Sequence, residues 1–208
     1  MKYIVVLTDG AADYKIDELS GKTVYEKADI PNLDEFAKKG RLFKVKTVPD
    51  GYKPGSDVAN LSVMGFSPME CYTGRSPLEA ASVGVPLTEE DMCFRANLVT
   101  LSDEENYAEK TMIDYSSGEI SSAEAAELIK AVDDALKTDD IRFFAGTSYR
   151  HIMRWTTDIR EFSLTPPHDI SDRVVGDYLP DNEIILEIMK KSEGILKDHP
   201  VNKKRIAE

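Results

Sequence analysis

The order of patterns in the first 65 residues constrains the fold most strongly. Tyr3–Thr8 is a continuous, largely β-branched apolar run, typical of a parallel strand buried on both faces. Asp29–Lys39 has apolar residues at helical spacing, with a proline in its first turn and a glycine after its end. Leu42–Val48 alternates apolar and polar residues, which predicts a second strand, and Val58–Met64 predicts a short helix. This order, β-α-β-loop-α, predicts the start of a layered α/β domain.

The pattern changes near residue 70, and we expect a domain boundary there. Ser121–Leu136 is the clearest predicted helix, because it has a capping serine and an apolar stripe. The other predicted elements are strands at Phe94–Leu101, Arg142–Thr147, Tyr149–Thr156 and Glu161–Leu164, and helices at Pro77–Val83 and Glu183–Leu196. The division that we expect is residues 1–70, 71–180 and 181–208.

Composition excludes several classes of protein. The chain has 208 residues, 41% of them hydrophobic and 31% charged, which suits a globular protein with a core. Its net charge of −12 argues against nucleic-acid binding, which needs a basic surface. The N-terminal apolar run is too short for a signal peptide, no later run could span a bilayer, and two cysteines make no disulfide framework. We therefore expect a cytoplasmic protein. Because the chain is acidic overall, we also expect arginines to be concentrated wherever it binds an anion.

Two residues stand where a phosphate or a metal ion could bind. Asp9 follows the first predicted strand, at the end of a strand where open α/β sheets bind ligands. Ser56 begins a predicted helix, where free backbone N–H groups and the helix dipole favour anions. A serine hydroxyl needs a base or a metal to attack phosphate, and no histidine is adjacent, so a metal is the consistent activator. Taken alone, each residue is better explained as structural, Asp9 by a turn and Ser56 by an N-cap.

Arginines and histidines are the candidates for binding an anion. Arg75 lies in a loop-to-helix segment, Arg95 lies inside an apolar strand, and Arg150 precedes His151. A guanidinium group suits bidentate binding of carboxylate or phosphate, and a charge inside a strand is costly unless it is paired. Ion pairs with acidic residues of the same chain are the alternative, which stays open for Arg95 and Arg150. His168 follows two prolines in a rigid loop, and it either borders a site or belongs to a loop that caps a helix.

Short motifs that occur in order along the chain carry a family resemblance. They are Asp9–Asp13, Thr47–Pro49, Pro54–Ser62, Tyr72–Ala81, Phe94–Thr100, Asp114–Gly118, Tyr149–His151, Thr165–Ile170 and His199–Asn202. Each motif is weak alone, but the ordered set is specific. It resembles the archaeal-type branch of the cofactor-independent (2,3-bisphosphoglycerate-independent) phosphoglycerate mutases, in the alkaline phosphatase superfamily.

The resemblance implies a glycolytic isomerase that interconverts 3-phosphoglycerate and 2-phosphoglycerate through a phosphoserine. It implies a divalent metal, with manganese expected first and magnesium, zinc or cobalt as alternatives, and no 2,3-bisphosphoglycerate. For the fold it implies the start of an alkaline-phosphatase-like layered domain, followed by a smaller inserted α/β substrate domain. The residues that it implies are Ser56 as nucleophile and metal ligand, Asp9 as a ligand of the same ion, and, for the substrate, Arg75, Arg95, Arg150, His151 and His168.

The chain is shorter than members of the resembled family, so other functions remain as alternatives. Members of the resembled family are longer, and the Asp and His residues that complete their metal site lie further toward the C-terminus. We therefore expect this chain to be an N-terminal portion, with residues 181–208 as a helical return segment, and to bind metal weakly and turn over slowly alone. The alternatives are a homoserine kinase-like or phosphatase activity on the same scaffold, and a non-catalytic phosphometabolite-binding protein.

Overall fold

The computed structural model describes residues 2–8, 11 and 13–207, and it divides into two units, Met1–Pro54 and Gly55–Glu208. The helices are α1 (Val24–Lys27), α2 (Pro31–Lys39), α3 (Ser56–Val63), α4 (Pro68–Cys71), α5 (Arg75–Ser82), α6 (Ser122–Leu136), α7 (Glu183–Lys197) and α8 (Pro200–Ala207). The strands are β1 (Asp91–Asn97), β2 (Thr100–Leu101), β3 (Met112–Asp114), β4 (Ile141–Thr147) and β5 (Arg150–Thr156). Short 3-10 helices lie at Asp17–Leu19, Tyr107–Glu109, Pro167–Ile170 and Gly176–Tyr178. The mixture of helices and strands agrees with the predicted α/β class.

The first unit contains the predicted helix but neither predicted strand. Helix α2 begins with its proline and is followed by Gly40, as the pattern predicts. Tyr3–Thr8 and Leu42–Val48 form no strand in the described part of this unit, so both predictions are wrong. Ile4 and Phe43 are 86% and 78% exposed. The β-branched and alternating patterns suit a strand, but a strand also needs a partner to pair with, and the described residues of this unit supply none.

The second unit is built on an antiparallel sheet with the strand order β1-β5-β4. The hairpin of β4 and β5 confirms the predicted strand pair, with Ile141 opposite Trp155. The predicted strand Phe94–Leu101 is divided between two sheets. β1 ends at Asn97, whereas Thr100–Leu101 pairs with β3 in a separate two-stranded sheet.

Each face of the three-stranded sheet packs against a different helix. On one face, Phe143, Met153 and Trp155 pack against the apolar stripe of α6, which includes Leu128 and Val132. On the opposite face, Ile152 and the partly buried Cys93 pack with Ala80 of α5. Side chains alternate between the two faces along a strand. Arg95, two residues after Cys93, therefore lies on the α5 side of β1.

Helix α6 is fixed at both of its ends. The Ser121 hydroxyl accepts a hydrogen bond from the Glu124 N–H at 3.3 Å, which confirms the predicted cap. Near the other end, the Asp133 carboxylate accepts hydrogen bonds from Nε and Nη2 of Arg142 at 3.0 and 2.9 Å. The same carboxylate accepts the backbone N–H of Phe143 at 2.9 Å. These contacts tie the helix to strand β4.

The remaining predicted elements are confirmed except in two places. Helix α7 begins after a capping Asn182 and matches the predicted Glu183–Leu196 within one residue. Glu161–Leu164 forms no strand, and its Phe162 packs instead against the rings of Phe94 and Trp155. Helix α4 is not among the elements predicted from the sequence. Throughout the described residues, the helices are too short or too polar to cross a membrane.

Candidate functional site

Ser56 is the first residue of helix α3, and it is exposed. The N-cap is Gly55, not the serine, so the explanation of Ser56 as a capping residue is wrong. The hydroxyl therefore lies in the first turn, at the end of the helix dipole that favours an anion. The Asp57 carboxylate already accepts the Val58 N–H of this turn.

Asp57 connects this helix start to the segment before α5. Its carboxylate accepts a hydrogen bond from the hydroxyl of Tyr72, the residue that ends α4. Burial raises the pKa of Asp57, but the hydrogen bonds from Tyr72 and from the Val58 N–H, with the nearby charge of Arg75, outweigh it and lower the pKa overall. The same contact and burial raise the pKa of Tyr72 to about 12. Asp57 is thus ionised and Tyr72 is neutral near pH 7.

Arg75 and Arg95 meet at one carboxylate, that of Glu79. Nε of Arg95 donates to Oε2 of Glu79 at 2.8 Å, and Nη2 of Arg95 donates to Oε1. Nε of Arg75, one helical turn before Glu79, donates to the same Oε1 at 3.0 Å. The alternative of an ion pair within the chain is therefore correct for Arg95. However, two guanidinium groups share one carboxylate, so the cluster keeps an excess of one positive charge.

The electrostatics of Glu79 agree with this geometry. Burial raises the pKa of the carboxyl, but the hydrogen bonds and charges of Arg95 and Arg75 lower it further, so the net pKa lies below its ordinary value of 4.5. Glu79 is therefore ionised at neutral pH. Its side chain and that of Arg95 are 25% and 22% exposed, whereas that of Arg75 is 61% exposed. One guanidinium group is thus held at the edge of the sheet, and the other reaches solvent.

Arg150 borders a cavity next to the same carboxylate. The cavity has a volume of about 180 Å³ and lies between the end of α5 and the hairpin of β4 and β5, with Glu79, Ser82 and Thr147 also in its wall. The Arg150 guanidinium lies 4.7 Å from the centre of the Tyr149 ring, and Nη2 donates to the Tyr149 hydroxyl at 2.8 Å. Within the described residues Arg150 makes no ion pair, so its charge is available to a ligand.

His151 is buried and neutral. It is 1% exposed, and it also borders the cavity. Its Nδ1 accepts a hydrogen bond from the Gly146 N–H at 3.1 Å. Burial lowers the pKa of His151 from 6.5 to about 4. Since Nδ1 is an acceptor, Nε2 carries the proton, and this buried N–H has no partner among the described residues.

His168 lies apart from this cluster, in the 3-10 helix Pro167–Ile170, and its side chain is 54% exposed. It is linked to Arg150 by a row of aromatic rings. Its ring centre is 6.1 Å from that of Tyr115, which lies 5.9 Å from that of Tyr149, the ring under Arg150. His168 therefore borders the candidate region instead of lying at its centre.

Metal binding is the part of the sequence hypothesis that the described residues do not support. Asp9 lies outside the described residues. Among residues 2–8, 11 and 13–207, there is no group of three or more His, Cys, Asp or Glu side chains that could hold a metal ion. Ser56 is described but Asp9 is not, so the described side chains do not by themselves complete a metal centre.

Glu79 is the residue that sequence patterns alone did not identify. Glu79 lies four residues after Arg75 on a helix, and residues at this spacing lie on the same face, so the spacing could have predicted their contact. The contact with Arg95, sixteen residues later, depends on how α5 packs on β1.

Comparison with known proteins identifies the family. A family model described as 2,3-bisphosphoglycerate-independent phosphoglycerate mutase matches residues 37–202. The chain belongs to this family. A relative from Geobacter sulfurreducens is 46% identical over 211 residues, which cover 100% of this chain and 52% of the relative. A Methanosarcina acetivorans protein with the family's name is 46% identical over 212 residues, with the same coverage.

Two solved structures share the fold of this chain. A Pyrococcus horikoshii protein superposes with a TM-score of 0.64 at 27% identity, covering 96% of this chain and 45% of the other. The cofactor-independent phosphoglycerate mutase of Thermoplasma acidophilum superposes with a TM-score of 0.53, covering 95% of this chain and 53% of the other. At 23% identity, that likeness supports the fold alone. The chain spans about half the length of the relatives it matches.

Proposed function

We propose that this chain carries the phosphate-accepting serine and the substrate-binding arginines of a metal-dependent phosphoglycerate mutase. The observation that carries the proposal is that Arg75 and Arg95 share the carboxylate of Glu79, which also lines the cavity that Arg150 borders, in a chain of net charge −12. Such a cluster suits a ligand with both a phosphate and a carboxylate, as 3-phosphoglycerate has. Family membership supplies the reaction.

The proposed reaction has two transfers. The Ser56 hydroxyl loses its proton as its oxygen attacks the phosphorus of 3-phosphoglycerate. The bond from phosphorus to the substrate's 3-oxygen breaks, and that oxygen takes up a proton, so glycerate and phosphoserine result. Glycerate then turns within the site. Its 2-hydroxyl loses its proton and attacks the phosphoserine, and the Ser56 oxygen regains a proton, which gives 2-phosphoglycerate and free Ser56. The arginines hold the carboxylate and phosphate during this turn, which keeps glycerate from leaving. A neutral His151 adds a hydrogen-bond donor without further charge.

From the family resemblance we propose a divalent metal ion with Asp9 and Ser56 as ligands, and manganese is the metal that we expect first. When bound there, such an ion would lower the pKa of the Ser56 hydroxyl and would offset the negative charge of the phosphate. No 2,3-bisphosphoglycerate is required in this proposal. We also propose, on the same basis, an alkaline-phosphatase-like layered domain from residue 1 to 70, an inserted substrate domain from 71 to 180, and a cytoplasmic location.

An enolase-coupled assay tests the proposal. The purified chain is incubated with 3-phosphoglycerate and millimolar Mn²⁺, and formation of 2-phosphoglycerate is followed. We expect slow turnover that is lost in Ser56→Ala and kept in Ser62→Ala. Ser62 is a matched control, because its hydroxyl donates to the Val58 carbonyl within the same helix at 3.4 Å. Turnover that survives in Ser56→Ala would refute the role of this serine. Thermal stabilisation by 3-phosphoglycerate without any turnover would favour a non-catalytic binding protein.

A further inference from the structure

Glu79 occupies an unusual position for a residue of an anion-binding site, since it is itself an anion. We propose that Glu79 is a positioning residue, which holds the guanidinium groups of Arg75 and Arg95 together so that they bind one anionic group of the substrate. This inference rests on the proposed function and deepens it, because it assigns the arrangement of the arginines to a residue that does not itself contact the substrate.

The contacts define how each arginine is held. Arg95 uses Nε and Nη2 on the two oxygens of Glu79, a two-point contact that fixes the plane of its guanidinium group. Arg75 uses Nε alone, on Oε1. Nη1 of Arg95 and both Nη atoms of Arg75 have no hydrogen-bond partner in the part of the chain that the structure describes. Three nitrogen groups thus remain as donors on two guanidinium groups that share one acceptor.

The conformational freedom of Arg75 explains why a clamp is needed. Its side chain is 61% exposed, so without Glu79 it would sample many rotamers, and a ligand would have to order it on binding. Arg95 is better enclosed, at 22% exposure, but its plane is set by the same carboxylate. Glu79 therefore orders both groups before the ligand arrives.

An electrostatic role and a positioning role of Glu79 predict opposite changes in the affinity for an anion when its carboxylate is neutralised. Glu79→Gln raises the net charge of the cluster by one unit, so a purely electrostatic role predicts tighter binding of an anion. A positioning role predicts weaker binding, because an amide cannot accept from both arginines as strongly as a carboxylate can. The sign of the change thus distinguishes the two roles.

Titration calorimetry on the chain, with 3-phosphoglycerate and separately with inorganic phosphate, measures this sign. We expect Glu79→Gln to weaken binding of 3-phosphoglycerate by about tenfold, which is the size of one charge-assisted contact. Glu187→Gln is the matched control, because it removes the same charge from the exposed pair of Glu187 with Lys191 on α7. That control should bind as the wild type does.

A double-mutant cycle separates positioning from a general effect on folding. Arg75→Ala should weaken binding strongly in the wild type and only slightly in the Glu79→Gln background, because the arginine is then no longer held. If Glu79 had a merely structural role, Arg75→Ala would weaken binding by the same factor in the wild type and in the Glu79→Gln background. Circular dichroism and thermal unfolding establish that each variant is folded.

The outcomes distinguish the inference from the proposed function. Weaker binding in Glu79→Gln, with non-additive losses and an unchanged control, supports the inference. Equal or tighter binding in Glu79→Gln overturns it and leaves the proposed function in place. If the wild-type chain binds neither 3-phosphoglycerate nor phosphate, the proposed function is overturned, and the inference with it.

Discussion

Protonation of His151 should destabilise the folded chain between pH 6.5 and pH 4. The imidazole is 1% exposed, and its Nδ1 accepts the Gly146 N–H, so the buried site holds the neutral ring. Burial lowers its folded-state pKa from 6.5 to about 4. Above pH 6.5, the pKa of histidine in the unfolded chain, His151 is neutral in both states and the stability of the fold is fully present. As pH falls from there towards the folded-state pKa, the unfolded chain takes up a proton that the folded chain does not, so stability is lost.

The size of the effect follows from the shift. Each pH unit in this window costs about 1.4 kcal/mol of unfolding free energy for one group. Between pH 7 and pH 5 the loss assigned to His151 is therefore about 2 kcal/mol. Carboxylates with lowered pKa values, such as Glu79 and Asp133, also reduce the unfolding free energy as pH falls. Their contribution is the same in the wild type and in a His151 variant, so it cancels in the difference between the two.

Urea unfolding at pH 7 and pH 5, followed by the fluorescence of the buried Trp155, measures the difference. The wild type should lose about 2 kcal/mol more than His151→Gln over this interval. Equal losses of unfolding free energy in His151→Gln and the wild type would show that the His151 pKa is not lowered by folding. Titration of the His151 ring by NMR in the intact chain checks the pKa directly, even if the variant folds poorly.

Two further predictions concern the elements that carry the site. Gly146→Ala should destabilise the chain by about 1–3 kcal/mol, because a Cβ there would overlap the Arg150 carbonyl oxygen, with the carbonyl carbon at 3.2 Å. Gly194→Ala, in helix α7 with nothing within 4 Å, should stabilise by about 0.5–1 kcal/mol. Asp133→Asn should cost about 1–3 kcal/mol, since the buried carboxylate binds α6 to β4. Asp134→Asn, on the exposed side of the same helix, should change stability by less than about 0.5 kcal/mol, and chemical denaturation measures all four.

Local patterns predicted the second unit better than the first. The cap and apolar stripe of α6, and the β4 and β5 hairpin, depend on residues close together in sequence, and both were correct. The strands predicted at Tyr3–Thr8 and Leu42–Val48 depend on pairing partners that no pattern within those segments can specify. A strand-like sequence therefore does not by itself produce a strand.

The candidate site shows the same limit. Arg75 and Glu79 are four residues apart on one helix, so their contact could be read from spacing. The contact of Glu79 with Arg95 requires the packing of α5 on the sheet, which only the three-dimensional structure provides. The sequence also suggested an N-cap role for Ser56 as the alternative. The helix instead begins at Ser56, two residues before the predicted start at Val58, and Gly55 is the N-cap.

The phosphorylation state of Ser56 is the decisive measurement of whether this serine accepts the phosphoryl group of the substrate. The chain is incubated with 3-phosphoglycerate and Mn²⁺, quenched, digested, and sequenced by mass spectrometry. We expect a phosphoryl group on Ser56 in the wild type and in Ser62→Ala, and no phosphoserine in Ser56→Ala. A phosphoryl group on another residue, or an unmodified Ser56 in a chain that calorimetry shows to bind 3-phosphoglycerate, would contradict this expectation.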